Sequence, residues 1–176
     1  MSSAPTLNSR LRVLVAKAFR AEKLYSSMST NKGATSKGDK LSNPAVLAEA
    51  AGELRAKEWQ RNYYQLRIAL NDILSIASSS TIASEIAVLR DRFLQRAKEC
   101  ALVVDRGVDE LQETGRRHEF VHTFKLSLEL IRTKAQAQAA AVIAEELAAI
   151  LDASGRTNAS PENSKVMRPD SIMLKH

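Results

Sequence analysis

The feature that most constrains this chain is the spacing of its apolar residues, which fall four and three apart along four long stretches. That period gathers them on one side of an α-helix, and no stretch shows the strict alternation that a half-buried strand requires. The first stretch, 7–28, lines up Leu7, Leu11, Leu14, Ala18, Ala21, Tyr25 and Met28. The second, 44–77, has Trp59, Tyr63, Leu66, Leu70, Ile73 and Ala77 as its seam. In the third, 82–113, Ile86, Leu89, Phe93, Cys100, Val104, Val108 and Leu111 are expected to be buried. The fourth, 117–151, opens with Val121, Phe124, Leu128, Ile131 and Ala135 and then becomes the alanine-rich "AQAQAAAVIAEELAAIL".

Punctuation between the stretches is consistent with this reading. Pro44 suits a first helical turn, where its missing N–H is not needed, and Asn43 before it can cap free backbone donors. "SSST" at 78–81 separates the second and third helices, and Gly115 supplies the left-handed residue that commonly ends a helix. Gly155 is a natural stop for the fourth. Residues 29–43, small, polar and glycine-containing, read as a loop. The ends, 1–6 and 156–176, carry no apolar period and are expected to be disordered, leaving a single helical domain at 7–155.

Helices two to four are each about 50 Å long at 1.5 Å per residue, and short connections make such helices antiparallel neighbours. The expected fold is therefore all-α, an up-and-down bundle of three long antiparallel helices plus a shorter basic N-terminal helix. With 176 residues and 44% hydrophobic content the chain can bury a real core, and only 5% aromatic content suits closely packed helices. Alanine in the fourth helix permits close helix–helix approach. The one cysteine, Cys100, allows no internal disulfide and points to a reducing compartment.

Charge is concentrated at one end. Residues 1–40 hold eight Lys/Arg against two acidic residues, an excess equal to the whole net charge of +6. In the first helix Arg10, Arg12, Lys17, Arg20 and Lys23 lie opposite the apolar face, as a helix meeting nucleic-acid phosphates or an anionic membrane would require. The same basic, amphipathic character leaves mitochondrial import open beside a cytoplasmic or nuclear location. "WQRNYYQLR" interleaves aromatic and basic residues, and Tyr64 and Arg67 fall off its seam, available to a partner. No run of residues is apolar enough to span a membrane.

Two motifs overlap in "HEFVHTFKLS". His118 and His122 stand four apart with Glu119 beside the first, so on a helix both imidazoles could hold one divalent ion while the glutamate activates its water. In these five residues the chain resembles the zincin peptidases, which implies His118 and His122 as metal ligands. It departs from them in Arg116 and Arg117, whose charge opposes a metal, and in its third ligand, since Glu145 and Glu146 lie ~35 Å further along the helix. From His122 onward the run is similar to the H-x-x-K-G-S pattern of His-containing phosphotransfer domains, themselves helical bundles. That resemblance implies an exposed His122 as phosphoryl carrier and Lys125 as its neutralising cation. Leu126 stands where the family has glycine, adding bulk where the phosphate donor approaches.

Each chemistry lacks a part, so the segment is read as the opening turns of a structural helix. The expectation is a non-enzymatic, intracellular helical protein without a cofactor. It would act as an adaptor or a subunit of a larger assembly, binding a protein partner or a second copy along heptad-type apolar stripes.

Overall fold

The computed structural model describes residues 6–30, 44–78 and 81–158, and none of these is in a strand. Four helices follow in order: α1 (Leu7–Thr30), α2 (Pro44–Ile76), α3 (Ile82–Arg116) and α4 (Phe120–Asn158). The all-α bundle is as expected. Residues 1–5 and 159–176, expected to be disordered, lie outside the described residues, as does 31–43 of the expected loop. Thr6 opens α1: its carbonyl accepts from the Arg10 N–H at 3.1 Å and its hydroxyl from the Ser9 N–H at 3.3 Å.

Side-chain pairs across the helices give their directions. Glu22 meets Arg67 while Tyr25 meets Trp59 and Tyr63, so α1 and α2 are antiparallel. Cys100 meets Gln136 and Glu110 meets His122, so α3 and α4 are antiparallel as well. The α1/α2 and α3/α4 hairpins join mainly through α2 against α4, and α1 touches α4 only lightly.

The main core occupies the end that α1 reaches. Leu11, Leu14 and Ala18 of α1 meet Tyr63, Leu66 and Leu70 of α2, Ile82 to Ala97 of α3 and Ala140, Ile143, Ala144 and Leu147 of α4. Ala135, Ala139 and Ala140 are almost wholly buried, so α4 spends its alanines inside the bundle, where a small side chain lets helices approach closely. In 24 residues α1 spans about 36 Å against about 58 Å for the 39 residues of α4. Among the described residues, the far end is consequently built from α2, α3 and α4.

Several expectations are corrected. In α3 the buried line passes through Gly107 and Thr114, and Val108 is exposed. A Cβ on Gly107 would run into the Leu130 side chain, so the close α3/α4 contact has claimed this position for glycine. Val121, expected in the α4 seam, and Met28, expected on the apolar face of α1, are exposed, the latter because the contact of α1 with the core ends at Tyr25. Gly155 does not stop α4, which runs through it to Asn158, because a glycine in right-handed conformation only weakens a helix, by about 1 kcal/mol.

The end of α3 holds the clearest departure. Gly115 is inside the helix, and the left-handed residue is His118, with φ 59°. The His118 N–H donates to the Gly115 carbonyl and the Glu119 N–H to the Thr114 carbonyl, both at 3.2 Å, the paired bonds of a Schellman motif. A seat that glycine normally fills is taken by a residue with a Cβ. His118→Gly is expected to raise stability by roughly 1 kcal/mol, the left-handed penalty less the greater freedom of glycine in the unfolded chain. An unchanged urea midpoint would show that the imidazole makes good the strain.

Candidate interaction surface

Just beyond the apolar core, α2, α3 and α4 share a polar layer. Glu58 and Asn62 sit one turn apart on α2, both almost fully buried. The Arg132 Nε donates to Glu58 Oε1 at 2.6 Å, and the Asn62 amide donates to the Glu58 carbonyl at 2.8 Å. Arg96 of α3 reaches Gln65 Oε1 at 2.6 Å on one side. On the other side Gln136, oriented with its carboxamide oxygen toward the guanidinium, accepts from Nη2 at 2.6 Å and from Nε at 3.2 Å. Glu58 Oε2 and Asn62 Oδ1 accept no bond from the protein. Cys100 borders this layer half-buried. Burial pushes its thiol above the ordinary range, Arg96 opposes that shift, and Glu99 and Glu58 add to it, so the thiol is kept from becoming a reactive thiolate.

The residues expected to meet a partner divide into two groups. Lys17 donates to Glu146 Oε1 at 2.7 Å and ties α1 to α4. Arg67 donates to Glu22 Oε2 at 2.8 Å and lies over Tyr64 and Phe19, at 5.3 and 5.8 Å from the ring centroids. Lys23 caps the other approach to Phe19, at 5.4 Å. Lys17 and Arg67 thus hold α1 to the bundle, whereas the contacts of Lys23 and Tyr64 are with residues of their own helices and both stay exposed. Arg12 and Arg20 are exposed and Arg10 is half-buried.

Alongside them α1 exposes large apolar side chains: Val13 (67%), Leu24 (57%) and Met28 (55%). Val13, Lys17, Arg20, Leu24 and Met28 follow at helical intervals and form a second stripe next to the core-facing one. Where this stripe meets α4, a groove with a volume of about 370 Å³ opens, with Val13, Leu14, Ala149 and Ile150 as its apolar lining and Lys17 and Glu146 across it.

The structure places the two histidines on different elements. His118 lies in the turn before α4 and His122 in its first turn, so they do not occupy one helix face. Among the described residues no group of three or more His, Cys, Asp or Glu side chains converges as a metal site. His122 is exposed at the start of a helix, its Nε2 3.6 Å from Glu110 Oε1. A carboxylate there opposes a phosphoryl group, while Lys125 is exposed on the next turn. Beside them Phe120 (78%) and Val121 (71%) project into solvent.

The polar layer escapes a reading of apolar periods. Its only local trace is a pair of polar residues at helical spacing inside long helices, 58 and 62 on α2, 132 and 136 on α4, and nothing in the sequence says that these pairs meet. The exposed stripe on α1 was hidden for a different reason: its apolar ends are interrupted by Lys17 and Arg20. Comparison with protein-family models, curated proteins and solved structures finds no match, so the functional reading rests on this geometry.

Arg132→Ala would leave Glu58 buried without its cation. A loss of roughly 2–3 kcal/mol is expected in urea titration, less than for a fully enclosed pair because Arg132 is half-exposed, and replacing both residues by leucine should recover most of it. Tyr63 supplies a pH test. Burial, then the Glu146 carboxylate and Tyr25, push its phenol up to about 12 from the ordinary value near 10. The folded chain holds this proton more tightly than the unfolded chain, so its contribution is intact below about pH 10 and is lost as pH rises through about 12. The loss should total roughly 2–3 kcal/mol and be absent in Tyr63→Phe, measured as the difference between the two stability profiles across that window.

Proposed function

We propose that this chain is a non-enzymatic helical interaction protein, an adaptor or a subunit of a larger assembly, that binds partner helices along apolar stripes its own fold leaves uncovered. The observation that carries the reading is the stripe on α1, where Val13, Leu24 and Met28 are each more than half exposed on a helix whose other face is in the core. Isolated exposed apolar residues need no explanation, but several in register on one helix form a surface that water solvates poorly and a second helix can cover. Phe120 and Val121 offer a smaller surface at the opposite end.

The core role of Leu11, Leu14 and Ala18 supports retention of α1 in the working protein over its use as a cleaved targeting segment. No described helix is long and apolar enough to cross a membrane.

The test is affinity co-purification of the tagged full-length chain from its native cells at moderate salt. Stoichiometric partners are expected. They should be lost from a variant carrying Val13→Asp, Leu24→Asp, Phe120→Asp and Val121→Asp, all at exposed positions that leave the helical circular dichroism unchanged. A chain recovered alone, or partners retained by that variant, would overturn the reading.

A further inference from the structure

The α1/α4 groove has walls of opposite charge. Along α1 the stripe runs Val13, Lys17, Arg20, Leu24, Met28, apolar at its ends and cationic in its middle, and its one carboxylate, Glu22, is turned to Arg67. On α4 the groove is lined by Glu146, Ala149 and Ile150, and the exposed carboxylates Glu145 and Asp152 follow on the helix surface beyond Ala149. The floor is apolar, with the Lys17–Glu146 pair across it, and α1 and α4 are otherwise only lightly joined, so the rim of the groove is open to a further helix.

These features exclude the simplest occupants. Pairing the stripe with that of a second copy, antiparallel, sets Val13 against Leu24 and brings Lys17 onto Arg20 of the other copy. A parallel pairing brings each cation onto itself. Both place like charges face to face, which disfavours the pairing. A phosphate-rich surface, lipid or nucleic acid, would suit the α1 wall but would be repelled by the carboxylates of the α4 wall, and would leave the apolar floor unused.

We infer that the groove receives one amphipathic helix of a partner protein, with an apolar spine on Val13, Ala149 and Ile150, an acidic edge toward Arg20, and a basic edge toward Glu145 and Asp152. This rests on the interaction reading above and adds the chemistry of the partner. From Val13 to Met28 the stripe spans about 22 Å, so the docked segment is about four helical turns. Apolar side chains of that helix fill the groove, and the two charged edges decide which helices are accepted. Because both edges are solvent-facing, the preference weakens as salt rises, while the apolar spine keeps its share.

The experiment uses three synthetic peptides of four to five turns with one shared leucine spine. One has glutamate along one edge and lysine along the other, the second has glutamate on both edges, and the third has lysine on both. Fluorescence anisotropy against the full-length chain is expected to show the mixed peptide binding at least about tenfold more tightly than either other at low salt. Val13→Asp should abolish that binding, and Arg20→Glu should shift the preference toward the all-lysine peptide. Both positions are exposed, and circular dichroism verifies that the bundle is intact. Equal affinity for all three peptides, no binding of the mixed peptide, or binding indifferent to Val13→Asp would overturn the inference. So would tighter binding to phosphatidylserine vesicles or to single-stranded RNA that is lost with Arg20→Glu. If partners still co-purify with a Val13→Asp, Arg20→Glu double variant and are lost only with Phe120→Asp and Val121→Asp, the interaction reading stands and the groove assignment falls.

Discussion

Everything in this bundle depends on how closely α4 approaches its neighbours. Ala135, Ala139, Ala140 and Ala144 are nearly inaccessible to solvent, and Gly107 gives Leu130 the space a Cβ would take. Small residues shorten the distance between helix axes and so multiply the weak dispersion contacts that larger side chains make around them. Leu66, Leu70, Ile143 and Leu147 fill the remaining volume at the α1 end. With α2 and α4 packed against each other, α1 is attached chiefly to α2 and meets α4 only along its edge. The groove at that edge follows from the packing of the interior.

The polar layer marks where the apolar core ends. A buried carboxylate is costly unless paired, and Glu58 is paired by a single arginine from another helix at 2.6 Å. Such a pair adds little to stability compared with well-packed leucines, but it tolerates only one register of α2 against α4. Arg96 does the same for α3, held between Gln65 and Gln136. Sliding any of the three helices by one turn would strand a charge or an amide in the interior, which alanine-rich surfaces alone would not prevent.

Much of the fold was legible in the sequence because the period of apolar residues reports which side of a helix is wet. Leu11, Leu14, Ala18, Tyr63, Leu66, Leu70, Ile86, Leu89 and Phe93 were all expected in the interior and are there. Legibility failed where a residue's role depends on a neighbour from another helix. Val108 looked like the natural continuation of the α3 seam, yet Gly107 holds that place because Leu130 needs the room. Gly115 looked like the end of α3, yet the chain turns at His118. Of the candidate interaction surface, the basic character of α1 was plain. That Lys17 and Arg67 hold α1 in place while Val13 and Leu24 face solvent was not.

Local periodicity and composition sufficed for the class of the molecule, the number of its helices, the starts of the first three and the concentration of positive charge on the first. That α4 lies in the interior, that Glu58 and Arg132 meet across 74 positions of chain, and that a groove with one basic and one acidic wall opens between α1 and α4 come from the packing of the helices together. The physical reason is that apolar periodicity states which face of a helix must be covered. What covers it is settled by side-chain volumes and charges that come together only when all four helices pack at once.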